Sequence, residues 1–363
     1  MAAEPGKAVI VSESDHIVAE TAARILTDLA DPQTVNQAQD DAWKAPLWQA
    51  LADAGLPLAW VPEEHGGAGA LMADGFAILG TAGRFALGVP LAETLLAGWL
   101  LAQAKIVSPA GPMTIAPVRP NETIDIDHDG RLQGRALAVP FAREAEHIAV
   151  FASRDKKPVV ALVATADCRL GDGRNLAGEP ATEINFAGVT PQQLSPAPHI
   201  DRHTLLLMGA TTRAVQTAGA LEGVLALSVA YANERVAFER PIGKFQAIQQ
   251  NLARLAGETA AALAVSGSAA DAIGQAHEFD DAVLLEVASA KIRCAEAATE
   301  GAAIAHQVFG AIGFTQEHIL HRFTLRMLSW RDDFGNESQW AAKLGTDVAR
   351  RGADEFWPLV ASR

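Results

Sequence analysis

Cysteine and basic residues are scarce in this chain of 363 residues. The two cysteines, Cys168 and Cys294, lie far apart without a CxxC or cysteine–histidine spacing, which excludes a recognisable disulfide framework or zinc motif and favours a reducing compartment. Acidic residues outnumber lysine and arginine by 43 to 29, and the formal net charge is −14. Because nucleic-acid binding depends on clustered cations, we expect no nucleic-acid partner.

The chain also lacks an evident export signal and a clean membrane-spanning run. The N-terminal segment MAAEPGKAVIVSESD has no basic stretch followed by an apolar one. The most apolar segment, LGVPLAETLLAGWLLAQA, contains Pro90 and Glu93 and falls short of ~20 apolar residues. We therefore predict a buried core helix there, no membrane partner and a cytoplasmic location.

Hydrophobic periodicity divides the chain into three regions. Spacings of three and four residues predict helices over 1–107, short apolar runs bounded by Gly, Pro and Asp predict strands over 108–198, and helical periodicity returns over 199–363. The expected order is an N-terminal helical domain, a β middle domain and a C-terminal helical domain.

A glycine-rich turn, WVPEEHGGAG at 60–69, follows a short apolar segment. A loop that cradles phosphate is conceivable there. However, neither GxGxxG nor GxxxxGK spacing is present, so a structural loop between helices is the favoured interpretation.

The segment ERVAFERPIGKFQAIQQ at 234–250 places polar residues between two long helical stretches. Arg235 is predicted at the C-terminal end of a helix, where a cation is favourable and can also reach an anion. Pro241 and Gly243 indicate a turn, after which Gln246 and Gln249 share one helix face. A solvated helical hairpin and an anion site are both consistent with this pattern.

Two further polar segments lie near the C-terminus. HQVFGAIGFTQEH contains His306 and His318, which with His321 lack the HExxH spacing of a zinc helix and are predicted to be capping or surface residues. RDDFGNESQW gathers Asp333 and Glu337 around a glycine. A carboxylate there could act as a general base if burial raised its pKa, or could simply be hydrated.

Three segments together resemble the acyl-CoA dehydrogenase family, and the resemblance covers nearly the whole chain. LWQALADAGLPLAWVPEEHGGAG is similar to the family's N-terminal helical signature, and GALEGVLALSVAYANERVAFERPIGKFQAIQQNLA to its C-terminal helix pair. HQVFGAIGFTQEH resembles the family's QxxGGxGxTxEH turn. In its shortness and degenerate motifs the chain is similar to the small subunits of two-gene, heteromeric acyl-CoA dehydrogenases.

This resemblance implies an N-terminal helical domain, a central β-barrel and a C-terminal four-helix bundle, with FAD bound between subunits. It implies oxidation of an acyl-CoA thioester to the trans-2-enoyl-CoA, in which a base takes the α-proton and the flavin accepts a hydride. By position, one subunit would bring the turn at Arg235 to the diphosphate and adenosine of FAD, and its neighbour the turn at Gln307. The residues implied to contact FAD are Arg235, Phe238, Gln246, Gln307, Gly310, Ala311, Ser338 and Gln339.

The chain departs from the family at the catalytic base. Most members carry a glutamate just before a Gly-Thr-Ser-Gln run, and the alternative alignments place Gly335 or Phe334 at that position. A minority carry the base on a helix, at a position that is Gly209 here. Within this chain Asp333 is the first candidate base and Glu337 the second.

The region of the isoalloxazine-contacting TEPxAGSD loop also departs, since TIAPVRPNETIDID takes its place. We therefore expect a subunit of a homotetramer, or of a heterotetramer with a sister subunit, that passes electrons to electron-transfer flavoprotein or a similar acceptor. The alternative is a non-catalytic partner that lends part of the FAD site to a catalytic sister. A helical binding protein without flavin would require Arg235 and the glutamines to be plain surface.

Overall fold

The computed structural model describes residues 13–361. Residues 1–12 and 362–363 lie outside the described residues. They include most of the N-terminal segment in which no export signal is expected, and the outer ends of the two predicted helical domains. The division into domains at 107/108 and 198/199 remains a prediction.

The first part of the described chain is helical, as predicted. Its helices are α1 (Glu13–Ala30), α2 (Pro32–Gln37), α3 (Lys44–Asp53), α4 (Met72–Arg84) and α5 (Leu91–Gln103). Helix α5 is the segment predicted as a core helix, and every residue from 91 to 101 is buried. In the glycine-rich turn, a Cβ on Gly67 would lie 2.2 Å from the carbonyl oxygen of Val61, so close backbone packing accounts for that glycine.

The middle part is an open sheet and not the closed barrel that the resemblance implies. Its strands are β1 (Met113–Ala116), β2 (Ile124–Ile126), β3 (Leu132–Pro140), β4 (His147–Arg154), β5 (Lys157–Ala164), β6 (Arg169–Leu170), β7 (Ala181–Asn185) and β8 (Gln193–Pro196). The order is β6-β7-β3-β2-β4-β5-β8, with β1 paired in parallel to β4.

The two edges of this sheet are short strands. Within the described residues β6 and β8 do not pair with each other, and β6 has only two residues. Closure would require unbroken pairing around the sheet, so the expectation of a barrel is wrong here. A separate hydrophobic cluster that includes Ile148, Val150 and Phe186 packs on one face of the sheet.

The last part contains three long bundle helices and shorter helices packed against them. These are α6 (Arg202–Glu234), α7 (Gln246–Gln275), α8 (Asp281–Phe309), α9 (Leu320–Trp330), α10 (Glu337–Arg351) and α11 (Ala353–Ala361). Asp201 caps α6 by accepting a hydrogen bond from the Thr204 N–H at 2.8 Å. The two-residue strands β9 (Val236–Ala237) and β10 (Arg240–Pro241) form a hairpin between α6 and α7.

The N-terminal helices and the bundle share one hydrophobic core. Helices α4 and α6 cross so closely that a Cβ on Gly83 would lie 2.1 Å from the Gln216 carbonyl oxygen, and one on Gly219 would lie 2.0 Å from that of Gly80. Within the described chain, α6 is the helix long and apolar enough to cross a membrane. Because 61% of its apolar window is buried in the fold, this is only weak evidence for a membrane span.

Candidate active site

The C-terminal ends of α6 and α8 meet at one end of the bundle, which we call the exposed end. Tyr231 near the end of α6 stacks on Phe309 at the end of α8, with ring centroids 4.3 Å apart. The Tyr231 hydroxyl donates a 3.4 Å hydrogen bond to the Phe309 carbonyl oxygen. The turns that contain Arg235 and Gln307 therefore lie side by side on the same chain, so a neighbouring subunit is not needed to bring them together.

The hairpin after α6 leaves Arg235 without a carboxylate partner in the described chain. Its backbone N–H donates to the Tyr231 carbonyl oxygen at 2.8 Å, while its side chain is exposed and forms no ion pair. Arg240, in contrast, lies over the Phe245 ring at 4.2 Å. Arg235 is thus the hairpin arginine that is free to meet an anion.

A tight turn does lie at Pro241 and Gly243, over Ile242–Lys244, and the hairpin before it adds a second reversal of the chain. The left-handed residues are Phe238, with φ +52°, and Glu239, with φ +67°, whereas Gly243 serves close packing because a Cβ there would lie 3.0 Å from the Ala232 carbonyl oxygen. Phe238 is 89% exposed. Gln246 is the first residue of α7 and is exposed.

The turn after α8 lines a cavity of about 760 Å³. Gln307 is exposed on this cavity, and Gly310 adopts φ +65° and ψ −143°, a conformation essentially restricted to glycine. Ala311 and Phe314 line the same cavity, and Phe314 is 74% exposed. This turn presents polar and aromatic groups at the exposed end.

The three histidines near this turn have structural contacts. His306 Nε2 lies 3.1 Å from the Thr324 hydroxyl, and its ring stacks on Phe314. His318 Nδ1 accepts a hydrogen bond from the Leu320 N–H at 3.1 Å, which caps α9. Burial lowers the pKa of His306, His318 and His321, which favours their neutral forms.

The second part of the candidate site is a buried ion cluster around Arg213 on α6. Its Nε donates to Asp333 Oδ2 at 2.9 Å and its Nη2 to Glu93 Oε1 at 2.6 Å. Its Nη1 donates to Gln216 Oε1 at 2.6 Å. Since all three nitrogens are bound, Arg213 holds the Asp333 carboxylate in a fixed position.

A second cation, Lys291 of α8, supports the loop that carries Asp333. Its ammonium group is buried and donates a 2.7 Å hydrogen bond to the Trp330 carbonyl oxygen. Burial lowers the pKa of Lys291 to about 8, although the Asp333 carboxylate opposes that effect. Burial also raises the pKa of Asp333, which Arg213 and Lys291 only partly offset, so Asp333 is more basic than a free aspartate.

Asp333 borders a cavity of about 310 Å³ between the bundle and the sheet. Its side chain remains 20% exposed. Val118 and Arg119 form part of the opposite wall and belong to TIAPVRPNETIDID, the segment that replaces the family's isoalloxazine-contacting loop. The structure thus places the first candidate base beside the region where the resemblance puts the flavin ring.

Glu337, the second candidate base, does not line that cavity. Its Oε2 lies 3.8 Å from Arg331 Nε, and neither atom makes a hydrogen bond. Ser338 and Gln339 are exposed in the first turn of α10, where Gln339 Oε1 accepts a hydrogen bond from the Asn336 N–H at 3.1 Å. They follow the loop that contains Asp333. Helix α9 lies between this loop and the turn after Gln307 in the sequence.

Phe334, one of the two alternative positions for the usual base, is in direct contact with Gly209, the position that carries the base in a minority of relatives. Phe334 is 1% exposed, and a Cβ on Gly209 would lie 2.2 Å from its ring. Phe334 adopts φ +55°, and its carbonyl oxygen accepts a 3.0 Å hydrogen bond from Trp340 Nε1. An aromatic ring therefore fills the space against α6 that the resemblance assigns to a carboxylate.

Sequence reasoning did not identify Arg213, Glu93 or Lys291 as site residues. Each is a charged residue within a long apolar helix, and each is only 2% exposed. Such a residue is almost never fully buried without a partner. That pattern was the signal available in the sequence, although it could not show which residues pair.

The exposed end suits an anionic, aromatic cofactor such as FAD. Arg235 offers a guanidinium without a carboxylate partner, Gln307 an exposed amide and Phe238 an exposed ring. Guanidinium groups bind phosphates through charge-assisted hydrogen bonds, and aromatic rings cover a nucleotide base. The residue types present at this end are therefore compatible with the diphosphate and adenosine of FAD.

Comparisons with known proteins identify the family. The family model described as acyl-CoA dehydrogenase, N-terminal domain, matches residues 12–104, and the one described as acyl-CoA dehydrogenase, C-terminal domain, matches residues 202–336. The chain is 28% identical over 348 residues to acyl-CoA dehydrogenase IpdE2 of Mycobacterium tuberculosis, covering 95% of this chain and 98% of that protein.

Solved structures share the fold. The chain is similar to a chain of the ChsE4–ChsE5 complex from Mycobacterium tuberculosis, with a TM-score of 0.82, 23% identity and coverage of 96% of this chain and 100% of the other. Butyryl-CoA dehydrogenase from Megasphaera elsdenii gives a TM-score of 0.78 at 19% identity, with coverage of 95% and 100%.

Together the two family matches span more than half of the chain, which belongs to the acyl-CoA dehydrogenase family. Members of this family are FAD-dependent oxidoreductases that act on CH–CH bonds, and FAD is the cofactor of this chain's class.

Proposed function

We propose that this chain is one subunit of an oligomeric acyl-CoA dehydrogenase that converts an acyl-CoA thioester to the trans-2-enoyl-CoA. The exposed end is the observation that carries the proposal. Phe238 and Phe314 are the two most exposed large apolar side chains in the described chain, at 89% and 74%; Phe238 lies in the hairpin that follows Arg235, and Phe314 lies in the turn after α8. An unpaired cation and exposed rings at the same end of the bundle suit a surface that a cofactor and a second chain cover.

In this assembly the exposed end holds the diphosphate and adenosine of FAD. Arg235 binds phosphate oxygens, and Phe238 and Gln246 lie along the adenosine. Gln307, Gly310 and Ala311 approach the same cofactor from the adjacent turn. Because both turns belong to one chain, the partner chain supplies the remaining contacts, in a homotetramer or in a heterotetramer with a sister subunit.

Within this chain, Asp333 takes the α-proton of the thioester. Bound FAD supplies the hydride acceptor, so the proton and the hydride leave adjacent carbons as the CH–CH bond becomes a double bond. Asp333 suits this role because Arg213 fixes it, burial makes it more basic and it borders the 310 Å³ cavity. Ser338 and Gln339 lie in the first turn of α10, which follows Asp333 closely along the chain.

The test is the Asp333→Asn variant of the flavin-loaded, assembled protein. We expect the rate of flavin bleaching by butyryl-CoA or octanoyl-CoA, measured by stopped flow, to fall by roughly 10²–10⁴-fold, because removal of a general base has that effect. Glu337→Gln is the matched control, since it neutralises a nearby carboxylate that does not line the cavity, and its rate should be unchanged. An unchanged rate in Asp333→Asn would show that the base lies elsewhere.

A second candidate function is a non-catalytic partner that lends part of the FAD site to a catalytic sister subunit. The contact between Phe334 and Gly209 favours it, because a buried ring occupies one of the two alternative positions of the usual base and fills the space beside Gly209. The ion cluster around Arg213 fills adjacent space. In this alternative the chain keeps the cofactor-holding surface and the sister subunit performs proton abstraction.

Expression of the chain alone and together with a candidate sister acyl-CoA dehydrogenase subunit separates the two functions. A yellow protein with a flavin spectrum and turnover from this chain alone would refute the partner role. Flavin binding and turnover only in the complex, unaffected by Asp333→Asn, would support it. Protein that stays colourless with FAD in both preparations would exclude both functions.

The electron acceptor and location complete the proposal. Reduced flavin must be reoxidised, and we propose electron-transfer flavoprotein or a similar acceptor as the partner for that step. A cytoplasmic location is consistent with the free cysteines Cys168 and Cys294.

A further inference from the structure

A polar cleft of about 370 Å³ lies away from the exposed end, where the α2–α3 loop, the sheet and α9 meet. This volume is within the range of small-molecule sites. Arg322 and Arg326 of α9 line one side, Lys44 another and Arg174 a third. Three separate parts of the chain thus bring four cations to one cleft.

The carboxylates that face this cleft are mostly engaged with two of the cations. Glu179 accepts from Arg326 Nε at 2.7 Å. Asp41 and Glu144 both pair with Lys44, at 3.0 Å and 2.9 Å. Asp40, the remaining carboxylate of the cleft, is exposed and accepts a hydrogen bond from the backbone N–H of Ala42.

Arg322 and Arg174 are left without an ion pair among residues 13–361. Arg174 donates only to the Gly178 carbonyl oxygen. Arg322 has a buried Nε that makes no hydrogen bond. Burial and the neighbouring charge of Arg326 lower the pKa of Arg322 to about 10, although the charges of Glu179 and Asp41 oppose this effect.

A purely structural role does not account for this arrangement. A structural arginine normally uses its planar fork on a carboxylate or on carbonyl oxygens, as Arg326 does with Glu179 and the Arg322 carbonyl oxygen. A half-buried cation with an unused donor instead offers a position for an anion. We propose that Arg322, with Arg174, anchors a binding site for a phosphate or carboxylate group carried by a small ligand.

This site is distinct from the proposed FAD contacts and does not depend on the dehydrogenase chemistry. Its wall adjoins the 310 Å³ cavity, because Phe141, Arg174 and Glu179 line both. A ligand anchored at Arg322 could therefore influence the cavity that Asp333 borders.

The experiment is isothermal titration calorimetry of the purified, assembled protein with inorganic phosphate, acetate and CoA at constant ionic strength. We expect saturable binding of at least one probe, and Arg322→Gln should weaken it by about 10- to 100-fold because hydrogen bonds to a charged group are lost. Binding of phosphate or acetate would show that a free anion is sufficient to occupy the site. Binding of CoA without binding of phosphate or acetate would show that the anion is a phosphate group carried by a larger ligand.

Arg135→Gln is the matched control, since it removes the same charge from a side chain that is 72% exposed on β3. Its affinity should equal that of the wild type. Arg322→Lys keeps the charge but loses the fork, so we expect intermediate affinity. Equal affinity in Arg322→Gln and Arg135→Gln would overturn the proposal. Absence of saturable heat in the wild type would also overturn it, and that measurement does not depend on the stability of any variant.

Discussion

The exposed end and the loop around Asp333 use their polar groups in opposite ways. At the exposed end Arg235 and Gln307 face outward without side-chain partners in the described chain. In the loop, Asp333 is bound to Arg213, and Phe334 is packed against α6. The comparison shows that groups suited to hold a cofactor remain open, while the position of the family base has become part of the interior.

The largest expected effect comes from removing Arg213, the central cation of the buried ion cluster. Arg213→Met leaves Glu93 and Asp333 buried without their counter-charge, so we expect a loss of about 3–5 kcal/mol in the free energy of unfolding, measured with urea. Arg254→Met is the control, because Arg254 forms an exposed pair with Glu300 and should cost at most about 1 kcal/mol. A similar loss in both variants would contradict a special role of the buried cluster.

The contact between Phe334 and Gly209 can be tested with a double-mutant cycle. Phe334→Ala should cost about 3–5 kcal/mol through an internal cavity, and Gly209→Ala about 1–3 kcal/mol through overpacking against the ring. The new methyl group fits once the ring is gone, so the double variant should be more stable than the sum predicts. Additivity within about 0.5 kcal/mol would show that the two residues do not compete for the same space.

Lys291 gives the stability of the buried cluster a dependence on alkaline pH. Its folded pKa of about 8 lies below the ordinary 10.5, so between these values the unfolded chain binds more protons and the free energy of unfolding rises with pH. The contribution is up to about 3 kcal/mol. Urea titrations from pH 7 to 10.5 should show this rise in the wild type and a smaller one in Lys291→Met; parallel curves would exclude the effect.

The smallest expected effect on the fold comes from the exposed end. Arg235→Gln should leave the free energy of unfolding within about 0.5 kcal/mol of the wild type, because the side chain is exposed and unpaired. FAD affinity of the assembled protein, measured by flavin fluorescence, should fall about 10- to 100-fold. Arg254→Gln provides the charge-matched control, and unchanged affinity in Arg235→Gln would separate the exposed end from FAD.

Local sequence patterns predicted the order of helical, sheet and helical regions, because hydrophobic periodicity depends only on residues that are close together in the sequence. The open sheet was not predictable in this way, since it depends on whether β6 and β8 reach each other across the sheet. The same limit applies to the site. Gly209 and Phe334 were both recognised as departures, but their contact joins residues 125 positions apart in the sequence.

The buried pairs show why charge pattern alone was insufficient. Arg213 and Asp333 are separated by 120 residues, as are Glu93 and Arg213. A charged residue inside an apolar helix signals a buried partner, but only the crossing of α5, α6 and the loop after α9 selects which one.

The close crossing of α4 and α6 sets the limits for making chimeras with relatives. An exchanged bundle that carried a larger residue at position 219 would drive its side chain into the Gly80 carbonyl oxygen, and position 83 imposes the reciprocal constraint. An exchange between α5 and α6 would also separate Glu93 from Arg213. A functional hybrid must therefore take both helical parts from the same parent, and the buried pair between Arg326 of α9 and Glu179 ties the sheet region to that parent as well.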